Sequence, residues 1–177
     1  SDNDPFKWDE SVTEVELPNT ITTLANYCFA YSGITSLRLP ASVTTIDPRA
    51  NVLLNRCYKL KEILVDAGNP AFISDDGVLY TKGHEELICV PFNKDFSSKG
   101  NCFTINSNTK KVHVDAMGNT PTLEKLVVPA SVTFLEMGKW PTFAYNPTHL
   151  QEIVVDAGNQ TYCSIDGVVY SKDKTKL

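Results

Sequence analysis

The chain has 177 residues, 42% of them hydrophobic and 21% charged, with a formal net charge of −5. That balance is ordinary for a soluble globular chain, and an acidic chain lacks the clustered Lys and Arg that binding to nucleic acid requires. No apolar run approaches the ~20 residues of a membrane span.

The start, Ser1-Asp-Asn-Asp-Pro, is polar and acidic and does not read as a signal peptide, which leaves a cytosolic chain and a trimmed leader as alternatives. Residues 1–11 form an N-terminal extension. From residue 12 a short pattern sets in, apolar-x-x-apolar-x-apolar and then Pro or Asp. Its copies are Val12/Val15/Leu17-Pro18, Ile34/Leu37/Leu39-Pro40, Leu60/Ile63/Val65-Asp66, Leu123/Leu126/Val128-Pro129 and Leu150/Ile153/Val155-Asp156, with Phe103/Ile105-Asn106 a degraded copy. Their ends lie 22 (18→40), 26 (40→66), 23 (106→129) and 27 (129→156) residues apart, within the roughly 20–29 residues of leucine-rich repeats.

Each copy predicts a short strand. In Leu37-x-Leu39 both apolar side chains share one face while Arg38 points the other way, and the following Pro, with no N–H to donate, ends the strand. A second apolar pair follows: Ile21/Leu24, Val43/Ile46 and Val132/Leu135. Then comes an aromatic block, Tyr27-Cys28-Phe29-Ala30-Tyr31, matched later by Phe143-Ala144-Tyr145. It predicts a helical turn on the outer side, with its Phe plugging the core under the next strand. One such unit cannot bury its own apolar side, whereas stacked neighbours bury a continuous one.

A longer repeat is superimposed on the short one. Residues 62–82 return as residues 152–172 with 13 identities in 21 positions. Both copies carry Asp-Ala-Gly-Asn (66–69 and 156–159) and an Asp-Gly turn dipeptide, Asp76-Gly77 and Asp166-Gly167, followed by Val-Leu-Tyr or Val-Val-Tyr. After the first copy come Lys82-Gly83-His84-Glu85 and Leu87-Ile-Cys-Val90, which predicts a β-hairpin inserted into the stack. The second copy reaches Leu177 where the returning strand is due, so a cut or an incomplete cap is expected there. The whole chain is expected to form one domain, 1–177, with 12–91 and 103–177 as two related halves.

Little in the sequence points to chemistry. The five cysteines (28, 57, 89, 102, 163) are spaced by 29, 32, 13 and 61 residues, and none forms C-x-x-C. They are expected to be free and, at Cys28 and Cys57, buried, with a Cys89–Cys102 bridge left open. No metal site and no cofactor are expected. G-x-S-x-G, G-x-G-x-x-G, the phosphate-binding P-loop and H-E-x-x-H are all missing. Ser107-Asn-Thr-Lys110 and Ser171-Lys-Asp-Lys174 satisfy S-x-x-K without the K-T-G that accompanies it, and are read as chance. His84, His113 and His149 lie in unrelated settings. The Asp-Ala-Gly-Asn segments lack the spacing of an EF-hand loop and are read as turns closed by side-chain-to-backbone bonds. Asp75 and Asp76 sit on a turn where solvent is expected to keep their pKa values near normal.

Several stretches resemble the BspA-type leucine-rich repeats of bacterial surface proteins: Leu39-Pro-Ala-Ser-Val-Thr-Thr-Ile46, its echo Val128-Pro-Ala-Ser-Val-Thr-Phe-Leu135, Tyr27-x-Phe29-Ala30, Cys57-Tyr-Lys-Leu60-Lys-Glu-Ile63 and the insertion from Asn69 to Tyr80. The resemblance covers about residues 12–177. It implies a β-rich α/β fold: a right-handed solenoid with a parallel concave sheet, short helical turns on the convex side and inserted hairpins. It also implies a non-enzymatic, adhesin-like module at the bacterial cell surface, binding a protein or glycoprotein. A structural spacer presenting another domain is the alternative. The chain is expected to be a monomer, without nucleic acid and without membrane insertion. It departs from the family pattern at residues 47–56, 92–102 and 136–141.

Outward strand positions are the candidate partner-binding residues: Glu14, Glu16, Arg38, Glu62, Leu64, Lys125, Val127, Glu152 and Val154. One row is largely charged and the other turns aliphatic toward the C-terminal half, a combination that suits a protein-binding surface. The hairpin tips and Trp140 are rival positions.

Overall fold

The computed structural model describes residues 9–25, 28–46, 57–113, 116–117, 120–135 and 149–176. The expectations for residues 1–8, Tyr27, 47–56, 136–141 (Trp140 included) and Phe143-Ala144-Tyr145 lie outside them. The protein is a β-solenoid whose rungs carry one strand on a front face and a shorter one on a back face.

On the front, β2 (Ser36–Leu39) pairs in parallel with β4 (Glu62–Val65), and β10 (Lys125–Val128) pairs in parallel with β8 (Cys102–Thr104) and with β12 (Glu152–Val155). The register is that of the repeat: Leu37 lies beside Ile63, and Leu126 lies between Phe103 and Ile153. The inward residues Leu37, Leu39 and Ile63 are 0–1% exposed, and Arg38 between the first two is exposed. On the back, β1 (Thr23–Leu24) pairs with β3 (Thr45–Ile46), and β9 (Lys111–Val112) with β11 (Phe134–Leu135), all in parallel. The second apolar pair of each unit therefore builds strands as well.

Two expectations need correction. The front strands do not form one uninterrupted sheet: β2–β4 and β8–β10–β12 are separate stacks, divided by the inserted segment. The outer side also lacks the expected helix among the described residues. Residues 28–31 form a tight turn in which the Ser32 amide donates to the Phe29 carbonyl at 3.1 Å and Tyr31 adopts φ 64°. A left-handed residue stops helical propagation, while Phe29, 2% exposed, still fills the core as expected. The helical segments among the described residues are single 3-10 turns, Lys82–His84 and Ser97–Lys99.

The first unit is looser than the rest. No strand forms around Glu14 and Glu16, where one 3.4 Å bond from the Thr35 amide to the Thr13 carbonyl makes the link to β2. Val12, Val15 and Leu17 nevertheless pack on the core. The degraded copy Phe103/Ile105, in contrast, makes a full rung in β8.

The inserted segment is a meander: β5 (Phe72–Asp75), β6 (Val78–Thr81) and β7 (Glu86–Cys89) run antiparallel in turn, and β7 then joins β9 in parallel. It does not project into solvent but crosses the molecule as a wall. Leu79, Ile88 and Cys89 face the core of the first rungs, whereas Val78, Tyr80, Leu87 and Val90 face the core of the later ones. Burial on both faces accounts for the near-continuous apolar runs Val-Leu-Tyr and Leu-Ile-Cys-Val. The second copy forms the equivalent pair β13 (Tyr162–Ile165) and β14 (Val168–Ser171).

Candidate functional site: a groove at the insertion

The Asp76-Gly77 turn reaches the front face and acts as a rung of its own. The Ile63 amide donates to the Gly77 carbonyl at 2.9 Å, which docks the turn on β4. On its far side Asn106 Nδ2 donates to Asp75 Oδ2 at 3.1 Å and Lys99 Nζ to Asp76 Oδ2 at 2.8 Å, which ties it toward β8. Lys94 lies beneath. Its side chain is 9% exposed, its Nζ stands 3.1 Å from Asp76 Oδ2, and it also donates to the Asp76 carbonyl. A nearly buried ammonium persists when charge and hydrogen-bond partners replace lost water, and Asp76 supplies both.

Between β2–β4 and this turn lies an open groove of about 920 Å³. Leu64 and Val65 line its apolar part. Arg38, Lys61 and Lys94 supply positive charge, and Glu62, Asp76 and Asp95 negative charge. Hydrogen bonding by the Lys99 ammonium, helped by Lys94, holds the Asp76 carboxyl below the ordinary 3.8 against a smaller opposing effect of burial. Asp95 is also lowered, chiefly by the Ser97 backbone amide and then the Ser97 hydroxyl. Solvent was expected to leave Asp76 near its ordinary value; two lysines brought in from residues 94 and 99 overturn that for this residue. Carboxyls held ionised in this way are the opposite of a poised general acid.

The expected partner-binding residues divide into two patches. Arg38, Glu62 and Leu64 lie together: Arg38 is registered against Leu64, and its guanidinium bonds Asp66 Oδ1 at 2.9 Å. Lys125, Val127, Glu152 and Val154 form the other patch on β10 and β12, with Lys125 Nζ 3.1 Å from Glu152 Oε2. β8 adds Cys102 beside Lys125 and Thr104 beside Val127, residues the degraded copy concealed. The aliphatic row Leu64, Val127, Val154 is half-buried and is broken between its first two members by the inserted turn. Glu14 and Glu16 are exposed but belong to no strand.

The Asp-Ala-Gly-Asn segments are turns, closed by the amide of Asn69 donating to the Asp66 carbonyl and of Asn159 to the Asp156 carbonyl, both at 2.9 Å. Their Asn side chains do more than close a turn. Asn69 is 1% exposed; its Nδ2 donates to the Pro40 and Val43 carbonyls at 2.9 Å, and its Oδ1 accepts the amides of Ala71 and Phe72 at 2.9 and 2.8 Å. Asn159 repeats the set with Pro129, Val132, Thr161 and Tyr162. Its invariance between the two copies was the available signal. Among the described residues no group of His, Cys, Asp and Glu could hold a metal ion. None of the five cysteines forms a disulfide, Cys89 and Cys102 included. His84 and His113 face carboxylates, Asp75 at 3.4 Å and Glu86 at 2.5 Å. No helix among the described residues is long and apolar enough to cross a membrane.

Residues 2–74 match the family model described as "BspA type Leucine rich repeat region (6 copies)". Three solved structures share the fold. The pneumococcal vaccine antigen PcpA is 24% identical, with 75% of this chain and 30% of that one covered, at a TM-score of 0.61. A leucine-rich repeat protein from Eubacterium ventriosum ATCC 27560 is 24% identical over 84% of this chain and 43% of that one, TM-score 0.61. A leucine rich cell surface protein from Faecalibacterium prausnitzii A2-165 is 23% identical over 81% and 35%, TM-score 0.66. This chain thus corresponds to less than half the length of each of them. No curated protein matches it.

Proposed function

Because the chain belongs, through residues 2–74, to the BspA-type leucine-rich repeat family, we propose that it is a non-enzymatic, cell-surface interaction module that binds a protein or glycoprotein as a monomer. In this reading residues 12–91 and 103–177 are two related halves of one domain, and the groove between β2–β4 and the Asp76 turn is the binding surface. The observation that carries it is the groove itself, open, about 920 Å³ in volume, with an aliphatic floor at Leu64 and Val65 and a rim of both charge signs. Partner surfaces combine an apolar centre with a polar rim, and specificity on a repeat scaffold lies in its exposed side chains. Export to the bacterial cell surface and absence of catalysis are part of the same proposal, supported by the repeat family. The printed names of two structural neighbours, a vaccine antigen and a cell surface protein, agree with it.

The test is a protein and glycan array probed with the folded chain, alongside Leu64→Asp and Val127→Asp separately. Each side chain is half-buried and outward; circular dichroism checks that the fold is kept. Binding lost with Leu64→Asp and kept with Val127→Asp supports the groove. Binding indifferent to both overturns it. The absence of any partner favours the second reading, a spacer that holds another domain away from its anchor.

A further inference from the structure

The groove between β2–β4 and the Asp76 turn continues past both ends of β4. Arg38, which lines it, also lines a second cavity of about 470 Å³, walled by Val15, Glu16, Leu17, Pro40 and Asp66. Lys61 and Asp95 line the groove and a third cavity of about 500 Å³, walled further by Asn93, Pro121 and Thr122. Lys61 precedes β4 and Asp66 follows it, so the three cavities run along the strand as one cleft. β4 alone spans roughly 13 Å at ~3.3 Å per residue, and with a cavity beyond each end the cleft accepts an extended chain of about six to eight residues.

Most of the charge along the cleft is already compensated. Arg38 is paired with Asp66 at 2.9 Å, and Asp76 with Lys94 and Lys99 at 3.1 and 2.8 Å. Asp95 accepts the Ser97 amide at 2.9 Å. Glu16 at one end, Lys61 at the other and Glu62 between them are exposed and have no ion pair among the described residues. The turn does not supply this frame by itself. In the second copy the Ile153 amide donates to the Gly167 carbonyl at 3.0 Å as Ile63 does to Gly77. Yet Asp166, in the same left-handed conformation at φ 49°, is exposed and has no ion pair among the described residues. The charged wall is a property of Lys94 and Lys99.

We propose that the cleft takes an extended peptide segment, with a basic side chain at the Glu16 end, an aliphatic one over Leu64 and an acidic one at Lys61. This rests on the groove being the binding surface and adds the class of partner and the order of its side chains. Among the described residues no aromatic ring lines any of the three cavities, and a sugar ring docks chiefly by laying its C–H face on an aromatic one. The floor is instead aliphatic, at Val15, Leu17, Leu64 and Val65. Apolar side chains flanked by unmatched charges of opposite sign are what a polypeptide complements. Glu62 lies on the Glu16 side of Lys61 and reinforces the preference for a cation there. Charges so placed fix the register of the segment more than they raise its affinity.

The folded chain is applied to an array of random octapeptides and to a glycan array. The strongest octapeptide is then titrated by fluorescence anisotropy against the parent chain, Glu16→Lys, Lys61→Glu and Leu64→Asp, with circular dichroism checking each fold. Bound octapeptides are expected to carry Lys or Arg and Asp or Glu separated by aliphatic residues. Each substitution should weaken binding by roughly tenfold. Binding to Lys61→Glu should return when the acidic residue of the peptide is replaced by Lys. Failure of every octapeptide to bind overturns the proposal, as does binding indifferent to Glu16→Lys and Lys61→Glu. Capture of glycans alone, lost with Leu64→Asp, would keep the groove as the binding surface and overturn the peptide. Binding of either kind that ignores Leu64→Asp removes the groove itself.

Discussion

The amide of Ile63, in the middle of a front-face strand, donates to the carbonyl of Gly77, the second residue of an inserted turn. This one bond lets a fourteen-residue excursion return to the sheet as though it were the next rung. Gly77 holds φ +75°, and a Cβ there would stand 2.9 Å from the Glu62 Cβ. Gly77→Ala combines that clash with the ~1–2 kcal/mol cost of a left-handed alanine, so urea denaturation should show a loss of about 2 kcal/mol or more. Gly83→Ala, with φ +81° and open space around the added methyl, should lose only the conformational part.

Asn69 should tolerate replacement poorly. Asn69→Ala strands two buried amides and two carbonyls, and each unmet group costs about 1–3 kcal/mol. We expect a loss of about 3 kcal/mol or more in chemical denaturation. Asn69→Asp should also destabilise, because a carboxylate keeps the bonds from Ala71 and Phe72 but meets the Pro40 and Val43 carbonyls without a donor.

The Asp76–Lys99–Lys94 cluster should make stability depend on acid. Asp76 is lowered from 3.8 when folded. Its contribution is therefore fully present above the ordinary carboxylate value and is lost as the pH falls through the lower folded value. The gap in urea midpoint between the parent chain and Asp76→Asn should be constant near neutrality and close below about pH 3.8. A gap that widens on acidification would show the sign to be wrong.

Thiol reactivity should sort the cysteines by burial. Burial pushes the Cys89 thiol up to about 12, and the Cys57 thiol is raised from 9.0, also chiefly by burial. Since the thiolate is the reacting species, iodoacetamide on the folded chain should modify Cys28, Cys102 and Cys163, which are half-buried, and spare Cys57 and Cys89. Peptide mass spectrometry before and after unfolding reads this directly.

Much of the frame was legible in the chain. Leu37, Leu39, Ile63 and Leu126 declare their inward face through alternation alone, and the Pro or Asp that follows declares where each strand ends. The groove was not, because its walls come from residues 36–38, 62–65, 74–77 and 94–95, and nothing local to Lys94 says that it lies under Asp76. Glu14 and Glu16 show the reverse: their pattern matches a strand, yet none forms there.

By itself the sequence determined the period, the apolar face of each rung and the turn positions, since these follow from alternation and from the backbone preferences of Pro, Gly, Asp and Asn. Only the tertiary structure decided that the insertion runs through the molecule as a wall between two cores, and that Asp76 is clasped while Asp166 stands open. Identical local sequences meet different neighbours, and burial and charge pairing belong to the neighbours.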